Sequence, residues 1–177
     1  RWNKSVIDPY VNMLRTTTEG MSAILGNADS VSVLPFDISF ASPAAFSARI
    51  ARNQQLLLKE EAYLDKVADP AAGSYYIEKL TDSMAFHAWE LFRKVEAGGG
   101  ILAAFQSGFI QEEIRRSREK KEADVAQRRM ILLGTNQYPN IQEDIKVSSE
   151  DQMTRREPTE ASFLPLTPFR AAASFEE

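Results

Sequence analysis

The sequence predicts an α/β protein that is mostly helical, with two short strands set between longer helices. Three observations lead there. Apolar residues recur at alternating spacings of three and four over several long stretches, the repeat of an amphipathic helix. Two short apolar runs, residues 30–36 and 130–134, read as buried strands. The helices between those runs argue for parallel pairing through crossovers rather than for hairpins.

Taken in order, Asp8-Pro9 is a helix start, with Asp as N-cap and Pro at the first helical position. Val11, Leu14, Thr18, Met21 and Leu25 then form one stripe, and Gly26-Asn27 supplies a left-handed stop. A strand is expected near Val31 to Leu34, ended by Pro35. Ser42-Pro43 repeats the start signal for a second helix striped by Phe46, Ile50, Leu57 and Leu64. Asp69-Pro70 breaks that helix, because a residue before proline is pushed out of the helical region. The third helix carries Ile77, Leu80, Met84, Ala88, Leu91 and Val95 on one face. It ends at Gly98-Gly99-Gly100, and a short helix over residues 101–106 stops at Gly108.

Residues 110–130 read as a strongly charged helix, in which Arg115/Glu119, Arg118/Glu122 and Asp124/Arg128 can pair across one turn. A second strand follows near Ile131 to Leu133. Past Tyr138-Pro139-Asn140 the periodicity is lost, and residues 141–177 read as an extended linker punctuated by Pro158, Pro165 and Pro168. Phe163, Leu164, Leu166 and Phe169 are too apolar for a solvated linker, so that stretch is expected to dock on a neighbouring surface. Two strands make no complete sheet, and the start at Arg1-Trp2 carries no initiator Met, so the chain is expected to be a piece of a longer one.

Composition narrows the function. The 177 residues suffice for one domain with a core, and 44% hydrophobic with 26% charged residues is ordinary for a globular protein. A net charge of −4 argues against nucleic acid and acidic membranes as partners. No cysteine means no disulfide and no thiolate chemistry, which suits the cytoplasm. No apolar run approaches the roughly 20 residues that cross a bilayer.

The chemistry-bearing residues form no complete active site. His87, the only histidine, sits beside an apolar stripe and reads as a partly buried structural residue. The triple glycine lacks the Lys-Ser or Lys-Thr that follows a phosphate loop, and reads as a helix stop. Glu60, Glu61 and Asp65 read as solvated helix surface, and the basic residues from Arg115 to Arg129 as a salt-bridged face without stacking aromatics. Arg49 and Arg52 could reach an anion or a partner subunit. No metal site and no catalytic residue is expected.

Several stretches carry more information than their chemistry does. Asp8-Pro9-Tyr10-Val11-Asn12, Arg15-Thr16, Phe46-Ser47-Ala48-Arg49-Ile50-Ala51-Arg52-Asn53 and Asp69-Pro70-Ala71-Ala72-Gly73-Ser74-Tyr75-Tyr76-Ile77-Glu78 resemble, in the same order, the acyl-CoA mutase family, and its methylmalonyl-CoA mutases in particular. Gly134-Thr135-Asn136 and Tyr138 resemble the G-V-N-x-Y after a late barrel strand of that family. The likeness covers residues 1–140. It implies the C-terminal portion of a (β/α)8 TIM barrel, mostly helical as a fragment, with 141–177 leading towards a C-terminal domain outside the chain.

The resemblance also implies what is lost. Catalytic chains of the family carry Q-T-S-G-W over the cofactor, and here Arg1 stands where that glycine would be. They carry H-T-N and then D-E-A beside the adenosyl group; here the matching words are Ser32-Val33-Leu34 and Asp37-Ile38-Ser39. Leu34 and Ile38 have no group to hydrogen-bond a ribose or adenine. The base-off cobalamin word D-x-H-x-x-G is missing around His87, where Ala85 and Glu90 stand at its Asp and Gly positions.

The implied protein is a non-catalytic small subunit of a heterodimer whose large subunit holds adenosylcobalamin and interconverts succinyl-CoA and methylmalonyl-CoA. Arg1, Leu34, Ile38 and Ser39 are then degenerate cofactor positions, and no cofactor is expected on this chain. Self-association is expected where strands lack their sheet neighbours. The alternatives are a catalytic chain for another acyl-CoA and a stand-alone helical interaction module.

Overall fold

A computed structural model describes residues 2–39, 44–140, 142, 164–166 and 168–175. The described residues form five α-helices: α1 (Val11–Leu25), α2 (Ala45–Glu60), α3 (Tyr75–Ala97), α4 (Gly100–Gln106) and α5 (Phe109–Ala126), followed by a 3₁₀ turn at Ala173–Phe175. They divide into two compact units. The first takes residues 1–70, 121–155 and 169–177, and the second takes 71–120 and 156–168.

In the first unit α1 packs on α2. Gly20 is buried at their contact, where an added Cβ would lie 3.3 Å from the Leu58 side chain, so the missing side chain sets how closely the helices approach. Val125, Leu132, Ala171 and Ala172 form the unit's buried cluster, with Trp2 and Met130 packed against it. The Lys121 ammonium lies 5.0 Å from the centre of the Trp2 ring. The amide of Ala171 donates to the Trp2 carbonyl at 2.8 Å.

In the second unit α3 packs against α4. Gly98, Gly99 and Gly100 make the turn between them, with Gly99 and Gly100 at positive φ, so the glycines act as a helix stop. Arg115 on α5 bridges Glu112 and Glu119, and Arg116 pairs with Glu113.

The expected strands do not form. Residues 30–35 and 131–132 run outside helices without a ladder, and the only pairing of the second run is an isolated bridge from Leu133 to Gln137. A strand exists only through hydrogen bonds to a neighbour. Neither run has one among the described residues, so the mostly helical expectation holds without its two strands.

Three helix boundaries differ as well. Asp8 is not the N-cap: it sits at φ 49° in a turn, Tyr10 precedes the helix, and no side chain caps it. α2 ends at Glu60 rather than at Asp69-Pro70. Tyr63 turns left-handed at φ 54°, and the Leu64 amide bonds the Leu58 carbonyl, so the chain closes its own cap early. α5 ends at Ala126, four residues short of the expected end. The Ser42-Pro43 start signal lies outside the described residues. So do residues 143–163 of the expected linker, including Phe163. Within the described tail, the Gln111 side chain donates to the Leu164 carbonyl at 3.1 Å.

Candidate functional site

Three of the stretches that carry the family resemblance, residues 8–12, 15–16 and 134–136, contribute to a polar network in the first unit, whereas residues 71–78 belong to the second. Asn12, in the first turn of α1, is fully buried. Its amide nitrogen donates to the Ser5 and Phe36 carbonyls at 2.7 and 3.0 Å, and its oxygen accepts from the Ser5 amide at 3.1 Å. Arg15, one turn on, donates to the same Asn12 oxygen at 2.7 Å and to the Leu133 carbonyl. Burial lowers the Arg15 pKa below its ordinary value, against the pull of Asp8 and Glu19. The Gln54 side chain on α2 donates to the Met13 carbonyl at 2.7 Å and the Thr17 hydroxyl at 2.6 Å, tying the two helices together.

Asn136 plays the same part at the other end. Its oxygen accepts from the Leu132 amide at 2.7 Å, and its nitrogen donates to the Val125 and Met130 carbonyls, each at 2.9 Å. Thr135 donates to the Ser5 hydroxyl at 2.9 Å. Gly134 is held at φ +75°, and an added Cβ would lie 3.2 Å from the Asp8 Cβ. That position therefore excludes a side chain twice over, by conformation and by space.

Beside this network a cleft of about 310 Å³ runs along α1, lined among others by Lys4, Glu19, Gly20, Ser30, Ser32 and Leu34. Lys4 is only 2% exposed, and its ammonium donates to both Glu19 oxygens at 2.9 and 2.8 Å. Asn3 adds a third donor to Glu19 at 2.5 Å. Burial pushes the Glu19 pKa up, but the hydrogen bonds from Lys4 and Asn3 and the Lys4 charge outweigh it, so the carboxyl lies below its usual range. The pair neutralises itself, and it offers the cleft neither a base nor a nucleophile.

The expected cofactor positions fall on the cleft's rim and just beyond it. Arg1 lies outside the described residues. Leu34 is 40% exposed at the rim, while Ile38 and Ser39 are half-buried in the turn that follows Phe36 and Asp37. Phe36 is buried and meets the Tyr10 and Phe46 rings at 5.6 and 6.4 Å. Asp37 Oδ1 and Ser39 Oγ are buried with no hydrogen-bond partner among the described residues.

Other flagged residues take no part in a site. His87 is exposed on α3, edge-on to Phe86, rather than partly buried. The helix leaves that side uncovered, which a stripe count does not foresee. Arg49 and Arg52 are exposed on α2. Glu60 and Asp65 pair with their neighbours Lys59 and Lys66. Among the described residues there is no cluster of His, Cys, Asp or Glu that could hold a metal, and no helix long and apolar enough to cross a membrane.

Residue reasoning alone missed Lys4, Glu19, Asn12 and Asn136. The one available signal was Asn12 embedded in the apolar run Tyr10-Val11-Asn12-Met13-Leu14, because a buried amide is retained only where backbone groups need it; Asn136, between Thr135 and Gln137, gave none.

Comparison with known proteins accounts for this arrangement. A family model described as methylmalonyl-CoA mutase matches residues 1–172. A methylmalonyl-CoA mutase small subunit from Porphyromonas gingivalis is 55% identical over 142 residues, covering 80% of this chain and 23% of that protein. The corresponding small subunit of Streptomyces virginiae is 43% identical over 136 residues, covering 77% of this chain and 22% of that one. A methylmalonyl-CoA mutase from Rhizobium meliloti is 44% identical over 131 residues, covering 74% and 18%. The chain thus spans less than a quarter of the length of these relatives, and it belongs to the methylmalonyl-CoA mutase family.

Proposed function

We propose that this chain is part of a mutase small subunit that keeps the scaffold of the catalytic fold and has given up its cofactor contacts. Its partner is then a catalytic large subunit holding adenosylcobalamin, and the heterodimer interconverts succinyl-CoA and methylmalonyl-CoA in the cytoplasm. Residues 1–140 correspond to the C-terminal part of a (β/α)8 barrel domain, and 141–177 to a following linker whose Ala171 and Ala172 return to the first unit's buried cluster. Such barrels place chemistry at the C-terminal ends of their strands and stability elsewhere. The network around Asn12 and Asn136 is of the second kind: every bond it makes is internal.

The observation that carries this reading is the turn after residues 30–35. Leu34 and Ile38 present only carbon where a ribose or adenine edge needs donors and acceptors. The residues therefore do not fit the adenosyl group, and no reaction step passes through them. The Lys4–Glu19 pair offers no replacement, since both carboxylate oxygens already accept hydrogen bonds.

Titrating the complete heterodimer with adenosylcobalamin tests the proposal. One equivalent is expected to bind. Losing two buried polar contacts at about 1 kcal/mol each weakens a second site at least tenfold. Two equivalents of similar affinity would overturn the reading and restore the catalytic alternative.

A further inference from the structure

The tail of the chain returns to the first unit at residues 169–177. Ala171 and Ala172 are 3% and 0% exposed there, and with Val125 and Leu132 they form its buried cluster. Beside them the Ala171 amide donates to the Trp2 carbonyl at 2.8 Å, and the Arg170 guanidinium donates to the Lys4 carbonyl at 3.4 Å. The tail thus holds the N-terminal stretch on either side of Asn3, and Trp2 packs against the same cluster. Ser5 is fastened separately, by Asn12 and Thr135. Residues 2–4 are therefore strung between two fixings. From that short span hang the two side chains that hold Glu19 beside the cleft: Lys4 donates to both of its oxygens, and Asn3 to one.

We propose that residues 170–172 are a strap that docks or releases as one unit, and that its docking seats the Lys4 ammonium on Glu19. The two fixings differ in kind. Ser5 is held by three hydrogen bonds to buried side chains, at 3.1, 2.7 and 2.9 Å. The strap gives the core two alanine methyls, and a segment that buries little apolar surface opens at lower free energy than the unit around it. On release, Trp2 loses part of the cluster it packs on, and residues 2–4 keep one attachment, at Ser5. Ordering the long Lys4 side chain on Glu19 then costs more conformational entropy, because the backbone that carries it is no longer fixed. The tail and the cleft are coupled in this way: what holds Ala171 in place also holds the cleft's buried cation.

The strap does not depend on the mutase reading. It is tested in the full-length protein that carries these residues by amine-specific labelling and hydrogen exchange, both read peptide by peptide by mass spectrometry. Ala172→Glu puts a carboxylate where no side chain is exposed, and expels the strap. Labelling of Lys4 is then expected to rise by about tenfold or more, while α1 and α2 keep their exchange protection. Ser174→Glu adds the same charge at an exposed position and is expected to leave Lys4 as slow as in the wild type. The unmutated protein supplies a second test, which decides alone should Ala172→Glu not fold. In urea below the unfolding transition, exchange at residues 170–172 and labelling of Lys4 are expected to accelerate together, ahead of exchange in α1. A folded Ala172→Glu protein whose Lys4 labels at the wild-type rate would overturn the proposal. A rise accompanied by lost protection in α1 and α2 would overturn it too, since residues 170–172 would then be ordinary core. The same holds for an unmutated protein in which the strap exchanges while Lys4 stays slow.

Discussion

Helices α1 and α3 are both built on a three-four apolar repeat, yet they are held by different means. α1 is fastened by polar side chains: Asn12 and Arg15 reach backbone carbonyls of residues 5, 36 and 133, and Gln54 grips its first turns from α2. α3 is longer, has one buried residue and presents aromatic rings to solvent. The difference teaches where specificity resides. A hydrogen bond to a named carbonyl fixes a helix in register and rotation, whereas apolar contact fixes only which side is covered. α1 is therefore fixed in register by named side chains, whereas α3 is buried at Val95 alone.

The largest effect that would break this comparison is expected from Asn12→Ala. It leaves two carbonyls and an amide without their partner in the interior, at a cost of about 4 kcal/mol, read as a shift of the urea midpoint with the slope unchanged. A loss within the range of ordinary surface substitutions would mean that α1 is held by packing, as α3 is. Gly134→Ala comes next, at about 2 kcal/mol, because it combines a left-handed backbone with a 3.2 Å approach to Asp8.

Glu19→Gln sharpens the electrostatic part of the comparison. The Glu19 pKa is lowered in the folded chain, so its contribution is present above the ordinary value of 4.5 and is lost as pH falls through the lower folded value. The wild type is expected to lose stability over that acidic interval, and the variant to show a flatter profile there. An unchanged slope would mean that the Lys4 pairing adds nothing. The smallest effect is expected on the other helix, where Leu80 is 45% exposed: Leu80→Ala should change stability by less than ~0.5 kcal/mol, read as an unchanged urea midpoint.

The helices were legible because their signal is local. Stripes at three and four residues located α1, α2 and α3, glycines bounded α4, and charge pairs four residues apart marked α5. Helix ends were read less well, since Tyr63 adopts a left-handed backbone that no proline or glycine announced, and Asp8 adopts one directly before Pro9, where a cap was expected. The strands failed for a deeper reason. Residues 31–34 have the composition of a strand, but a ladder is a property of two segments, and the second is not among the described residues. At the candidate site, the apolar character of Leu34 and Ile38 could be read from residue type alone. The roles of Asn12 and Asn136 could not, because their acceptors are backbone carbonyls whose positions exist only after folding.

The bond from Arg15 to the Leu133 carbonyl spans 118 residues of sequence. At 5–20 residues per second, a ribosome needs roughly 6 to 24 s to make that stretch. Throughout this interval α1 has its guanidinium but not the oxygen it is built to hold. The first unit is discontinuous, and residues 71–120 are synthesised complete within the gap. Once those residues fold, they shorten the loop that must close before Arg15 finds Leu133, lowering its entropic cost. The order of synthesis thus gives α3 and α4 time to form before the flanks of the first unit can join.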